Sequence, residues 1–136
     1  MADSNPTSGQ PPAIIATAEA LLQAYEAGQR NFMGLNLGTA QLSHANLRGA
    51  DLSYTDLSTS DLSGANLRGA DLSYANLREA NLQGADLRGA MLIGTDLRQA
   101  VLQSAQLDAA DFDPVSTHFP ERFNPAEAGL RASRQG

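Results

Sequence analysis

Residues 45–64 read ANLRGADLSYTDLSTSDLSG, and residues 65–84 read ANLRGADLSYANLREANLQG. The two segments match far better at an offset of twenty residues than at offsets of five, ten or fifteen. Within each segment a leucine recurs at every fifth position. A period of five fits neither the 3.6 residues of a helical turn nor the alternation of a strand, so the chain must turn every five residues. If each pentapeptide forms one short side and one corner, four of them close a square coil of twenty residues.

The five-residue repeat runs without a gap from Phe32 to Phe112. Its central residue occurs seventeen times and is leucine in fifteen of them. The residue two places earlier is alanine in twelve repeats, and the residue one place earlier is aspartate or asparagine in thirteen. We expect the central and the small residue to point inward, because only Ala, Ser or Thr leaves room beside four leucines in each layer. The other three positions are expected to point outward.

The consensus A-(D/N)-L-x-x, seen as ANLRG at residues 45–49, resembles the pentapeptide-repeat family over about 85 of the 136 residues. This resemblance implies an all-β solenoid, a right-handed, four-sided β-helix of about four coils that spans residues 30–114. Layers at the ordinary strand spacing of about 4.8 Å would give a rod roughly 20 Å long. Glycines at one corner, Gly49, Gly69 and Gly89, are predicted to supply the positive φ that a tight turn needs.

Both ends of a solenoid expose core and unpaired backbone, so the sequence must supply caps. Residues 13–28 carry apolar side chains at helical spacing, which predicts an amphipathic capping helix under the first coil. Residues 115–136, which include Phe119 and Phe123, are predicted to be a capping tail. Both stretches resemble the caps of bacterial, especially cyanobacterial, members of the family. Residues 1–12, rich in Pro, Ser, Gly and Gln, are predicted to be disordered.

Charge and cysteine content exclude several classes of function. The formal net charge is −6 and all nine cationic residues are arginine, so the long-range field repels phosphates and direct nucleic acid binding is not expected. The chain has no cysteine, which excludes disulfides, thiolate metal ligands and a cysteine nucleophile. The N-terminal segment fits neither a secretory signal nor a membrane span, so we predict a cytoplasmic protein that does not bind membranes.

Reactive side chains of different kinds do not converge in the repeat, so no catalytic residue, metal ligand or cofactor is predicted. His44 and His118 are the only histidines, and both are expected to be solvated. Asp51 and Asp71 would stack about 5 Å apart, a spacing that resembles a retaining glycosidase pair, but the layer period imposes it and no concave pocket surrounds it. Such a column also lacks the converging carbonyls of a cation cage. We therefore predict that the protein is not an enzyme.

Two outward columns are candidates for partner binding. Arg48, Arg68 and Arg88 recur at twenty-residue intervals and form a possible docking stripe for an acidic partner. The alternative, which we favour, is that these long side chains splay apart into solvent, because charge repulsion in water is only about 1 kcal/mol. Tyr54 and Tyr74 stack at a neighbouring corner, either as a binding hot spot or, as we favour, as a cross-strand pair that stabilises the ladder.

Met91 and Ile93 form an apolar patch where the two coils below carry aspartate and serine. The chain is expected to leave the solenoid at Phe112, close to this patch. We predict that the tail folds back onto the patch, which we favour, or that a second copy covers it across a two-fold axis. The protein is accordingly expected to be a monomer or a homodimer. Scattered surface apolar residues without a role are the remaining alternative.

Two functions of different classes follow from these features. The favoured one is a non-enzymatic protein-interaction or scaffold element that presents a rigid repeat surface to an unknown protein partner. The second is a DNA mimic that modulates a type II topoisomerase (gyrase), a role known for some members of the family that the chain resembles. A mimic needs carboxylates spread along a long rod, whereas residues 31–114 hold ten acidic residues, five arginines and few coils.

Overall fold

The computed structural model describes residues 15–133. Its regular elements in this range are α1, Ala18–Glu26, β1, Asp111–Phe112, and β2, Arg131–Ala132. No helix within these residues is long and apolar enough to cross a membrane. The predicted disorder of residues 1–12 and the first two residues of the predicted capping helix lie outside the described residues.

Single-residue parallel bridges, twenty residues apart for most of the chain, join each coil to the next. They form four columns, which define four walls, and each wall is followed by the corner of the same number. The bridging residues are Asn31, Asp51, Asp71, Met91 and Asp111 in wall 1; Asn36, Asp56, Asn76, Asp96 and His118 in wall 2; Gln41, Asp61, Asn81 and Val101 in wall 3; and Asn46, Asn66, Asp86 and Gln106 in wall 4. The four-sided, twenty-residue coil is therefore present, but regular strand is sparse because each pentapeptide bends again after about two extended residues.

All five backbone N–H groups of a central pentapeptide are hydrogen-bonded, as residues 66–70 show. The N–H of Asn66 donates to the coil below, and those of Leu67 and Gly69 donate to the coil above, at 2.8 to 3.0 Å. The N–H of Ala70 closes the corner on the carbonyl of Leu67 at 3.0 Å. The N–H of Arg68 donates to the side-chain oxygen of Asn66 at 3.1 Å. This last bond explains the preference for aspartate or asparagine, because no other acceptor is in place for that N–H.

The core consists of the central and the small residues, as predicted. Every central leucine from Leu42 to Leu97 is at most 1% exposed. Thr55, Ser60 and Thr95 replace alanine at the small position and are also buried. Their hydroxyl groups donate to backbone carbonyls at 2.6 to 2.7 Å, so the cost of burying an unpaired polar group is avoided.

The prediction that the remaining positions point into solvent is wrong at Ser53 and Ser73, which are 4% and 8% exposed. The hydroxyl of Ser53 donates to Oδ1 of Asp51 at 2.6 Å, which holds it against the wall. A charge placed at Ser73 would therefore be forced into a crowded position.

Every corner from Gly34 to Ala109 has a residue with φ between 56° and 77°. The prediction of positive φ for the glycines of corner 4 is confirmed. The same conformation is imposed on non-glycine residues such as Tyr54 and Tyr74, both at φ 61°. This costs roughly 1–2 kcal/mol for each such residue. The hydrogen bonds to the coils above and below hold the corner residues in this positive-φ conformation.

The helix α1 closes the lower end of the rod. Within the described residues it begins at Ala18, later than predicted, because the hydroxyl of Thr17 accepts the N–H of Ala20 at 3.1 Å and caps the first turn. Leu21 is fully buried in the core. The hydroxyl of Tyr25 donates to the backbone carbonyl of Arg48 at 2.6 Å, which ties the helix to wall 4.

The prediction that the chain leaves the solenoid at Phe112 is wrong. The chain makes one further, irregular coil instead. On wall 2, His118 bridges Asp96 after a two-residue insertion, and on wall 1 β2 pairs in parallel with β1. The ring of Phe119 meets Phe112 edge-on at 5.5 Å and stacks on Phe123 at 4.9 Å. The insertion is tolerated because these aromatic contacts replace the missing leucine layer and cover the upper core.

Candidate interaction surface

The arginines of wall 4 stack in consecutive coils, as predicted, but they do not form a uniform stripe. The carbonyls of Arg68 and Arg88 each accept an N–H from the coil below at 3.0 Å. The guanidinium of Arg88 donates two hydrogen bonds to Asp86, at 2.9 and 2.7 Å. Arg48 and Arg68 belong to no ion pair among residues 15–133.

Whether an arginine is held by its own repeat depends on the residue two places before it. Asp86 holds Arg88 and Asp96 holds Arg98, each through two hydrogen bonds. In the two lower coils of wall 4 this residue is asparagine, whose neutral amide forms no ion pair. The difference between D-L-R and N-L-R is visible in the sequence, but its consequence depends on the corner geometry that brings the two side chains together.

These pairs perturb the titration of the carboxylates. The hydrogen bond from Arg88 holds the pKa of Asp86 below its ordinary value, and burial opposes this shift. The hydrogen bond from Arg98 lowers the pKa of Asp96 in the same way, and the charge of Arg78 adds to the effect. Both carboxylates therefore stay ionised at neutral pH and are held by their own chain.

Replacing Asp96 with asparagine should lower the melting temperature by a few degrees at pH 7 and have no effect in strong acid. The folded-state pKa of Asp96 lies below its unfolded value, so ionised Asp96 stabilises the fold above about pH 4. This contribution is lost as the pH falls through the folded-state pKa. Thermal unfolding followed by circular dichroism from pH 2 to pH 7 measures the difference.

The variant Arg98→Gln serves as the matched control, since it removes the other half of the same pair. Its melting temperature should also lie below that of the parent chain at pH 7 and approach it as the pH is lowered. If the melting temperature of Asp96→Asn stays below that of the parent chain by the same amount from pH 2 to pH 7, ionised Asp96 does not stabilise the fold.

Tyr54 and Tyr74 stack at corner 1 with ring centroids 5.1 Å apart and an angle of 17° between the planes. They nevertheless remain 59% and 50% exposed. The pair is therefore both a contact between coils and an aromatic surface open to solvent.

Large exposed apolar side chains concentrate on wall 1 and corner 1. Among residues 15–133, five of the six lie on this side, and only Val101 belongs to wall 3. The five are Met33, Tyr54, Tyr74, Met91 and Val115. Val115 was not singled out from the sequence, although it is 84% exposed in the widened last turn of corner 1, where its N–H donates to Asp113. The signal for it is the break in the five-residue register after Phe112.

Met91 and Ile93 lie beside the end of the tail. Together with Asp111 and residues 131–133 they border a hollow of about 350 Å³. The end of the tail thus reaches the patch, but Met91 stays 42% exposed. The tail phenylalanines contribute elsewhere, because Phe119 packs edge-on against Phe112 and Phe123 stacks on Phe119.

Both histidines are exposed, as predicted. His44 lies at corner 3 with its ring over Gly64, and His118 projects from wall 2. Within the part of the chain that the structure describes, no group of three or more His, Cys, Asp or Glu side chains is arranged to hold a metal ion.

A stack of four-sided coils made of five-residue repeats, with a helix at one end and an aromatic layer at the other, defines a repeat protein of the solenoid class. The family model described as pentapeptide repeats matches residues 40–79, 60–99 and 80–113. The chain belongs to the pentapeptide-repeat family.

Solved structures include cyanobacterial relatives. A pentapeptide repeat protein from Nostoc is 52% identical, with a TM-score of 0.86, and the match covers 89% of this chain and 99% of that one. HetL, a Nostoc pentapeptide repeat protein involved in heterocyst differentiation regulation, is 34% identical with a TM-score of 0.51, covering 78% of this chain and 57% of HetL. A pentapeptide repeat protein from the Arabidopsis thaliana thylakoid lumen is 38% identical with a TM-score of 0.47, covering 62% and 56%. No curated protein sequence matches the chain.

Proposed function

We propose that this chain is a non-enzymatic protein-interaction element, a right-handed, four-sided rod that docks a protein partner on wall 1 and corner 1. The observation that carries this proposal is the concentration of exposed apolar side chains on that side, with a stacked tyrosine pair at its centre. Tyrosine is enriched among the residues that dominate binding energy at interfaces. The similarity to HetL, which is involved in regulating heterocyst differentiation, agrees with a role in regulation. The cytoplasmic location stays a prediction.

Capture from a lysate of the native organism on the immobilised full chain provides the partner for the test. The affinity of the purified partner is then measured for the chain and for the variants Tyr74→Ser and Val115→Ser. Loss of a central hot-spot residue weakens binding by about tenfold or more. The control is Val101→Ser, which removes an equally apolar side chain from wall 3 and should leave the affinity unchanged. A partner that responds to the Val101 variant and not to the other two would refute the assigned surface.

The alternative function, a DNA mimic that modulates gyrase, stays a prediction, and we favour it less than the protein-interaction function. Asp86, Asp96 and Asp111 each lie within an ion pair with arginine, which reduces the free negative charge of the rod. A gyrase supercoiling assay with and without the chain separates the two functions. Inhibition at stoichiometric concentration would favour the DNA mimic over the general interaction element.

A further inference from the structure

Aromatic rings at the corners lie over the corner residue of the next coil. A Cβ built on Gly94 would overlap the ring of Tyr74, and one built on Gly64 would overlap the ring of His44. Tyr54 in turn stacks on Tyr74. Corner 1 therefore carries a continuous column in which Tyr54 covers Tyr74 and Tyr74 covers Gly94.

The lower end of this column is open. The corner residue one coil below Tyr54 is Gly34, which has no side chain to place under the ring. A Cβ built on Gly34 would meet no atom within 4 Å. The neighbouring Met33 is 52% exposed. The lower face of Tyr54 is therefore an unfilled position in an aromatic stack.

The charges around this position favour a cation. Asp51 on wall 1 and Asp56 on wall 2 precede and follow the Tyr54 corner in the same coil, and neither belongs to an ion pair among residues 15–133. Oδ1 of each accepts two hydrogen bonds from the serine of its own repeat, so both act on a cation at the corner through their formal charge and not through direct contact. Arg30, in the coil below, is already engaged, because its guanidinium lies 3.6 Å from the centre of the Tyr25 ring and donates to the Tyr25 carbonyl. The formal net charge of −6 adds to the attraction at longer range.

We propose that the lower face of Tyr54 binds the guanidinium or ammonium group of a basic segment of a protein partner, which the acidic charge of the neighbouring walls attracts. An aromatic face attracts a cation through its quadrupole, and Gly34 leaves the room that the incoming group needs. The contact between Arg30 and Tyr25 shows the same geometry within the chain. This inference rests on the proposed function, since it names the chemistry of the partner at the same surface.

Aromatic proton–carbon NMR of the full chain, titrated with a capped tri-arginine peptide, tests the proposal. The chain has three tyrosines, so their ring signals can be assigned by single variants. The ring of Tyr54 should shift most, and capped tri-glutamate should shift none of the rings. The variant Tyr54→Leu should bind tri-arginine roughly two- to fivefold more weakly, whereas Tyr54→Phe, which keeps the ring, should retain binding. Gly34→Asn, which tolerates positive φ and fills the open space, should weaken binding without altering Tyr54 or any charge.

Equal shifts at all three tyrosines, with unchanged affinity in Tyr54→Leu and Gly34→Asn, would overturn the proposal, because binding would then reflect net charge alone. The melting temperature of each variant confirms that it is folded. A captured protein partner whose affinity is unaffected by Tyr54→Leu would refute this site and leave the interaction function standing. Specific binding of tri-arginine at Tyr54 together with failure to capture any partner would support the site and count against the proposed function.

Discussion

Replacing Leu82 with aspartate should abolish cooperative folding, whereas replacing the next residue, Gln83, with aspartate should leave the chain folded. Leu82 is 0% exposed and is the central residue of wall 3 in a middle coil. An aspartate at this position loses roughly 1.5–3 kcal/mol of apolar burial and adds several kcal/mol for a buried carboxylate without a partner. The sum is comparable with the whole stability of a domain, about 5–15 kcal/mol. Gln83 is exposed, so a carboxylate there stays in water.

Thermal unfolding followed by circular dichroism measures both variants. We expect no cooperative transition for Leu82→Asp and a melting temperature within a few degrees of the parent for Gln83→Asp. Comparable melting of the two variants would show that the inward register is wrong. Leu72 and Ser73 form a less informative pair, because Ser73 is itself buried and its substitution by aspartate is not a surface change.

Removing residues 115–136 should lower the melting temperature sharply and cause the chain to associate. The deleted segment contains β2, which pairs with β1, and His118, whose carbonyl accepts the N–H of Leu97 at 2.7 Å. It also contains Phe119, which packs on Phe112, and Phe123, which stacks on Phe119. A rod that ends at residue 114 would expose both an apolar core end and unpaired edge groups, which are templates for association.

Static light scattering and thermal unfolding of the purified truncated chain measure these two effects. The single variants Phe119→Ala and Val115→Ala form a matched pair. The first should destabilise the chain because the phenylalanine packs on the upper core, and the second should be neutral because Val115 is 84% exposed. A truncated chain that is monomeric and as stable as the parent would contradict the assignment of the tail as a closing coil.

Much of the candidate surface could be placed from the sequence, because residues twenty apart become neighbours in a coil of fixed length. The stacking of Tyr54 on Tyr74 and the alignment of Arg68 with Arg88 follow from that spacing alone. The spacing alone does not predict which side chains in these columns form ion pairs. Arg88 is held by Asp86, whereas Arg68, which follows Asn66, belongs to no ion pair among residues 15–133. The contact between Arg88 and Asp86 depends on side-chain conformations within one pentapeptide.

The period of the coil, the leucine and alanine core and the positions of the corners can all be predicted from the sequence. This is possible because a repeat makes the same contacts in every layer, so that each type of position recurs many times in the same environment. The course of the chain after Phe112 and the open face of Tyr54 could not be predicted in this way. Both depend on contacts that occur once: the packing of Phe119 on Phe112 follows no repeating interval, and the space beneath Tyr54 is open because rings lie toward the coil above and Gly34 carries no side chain.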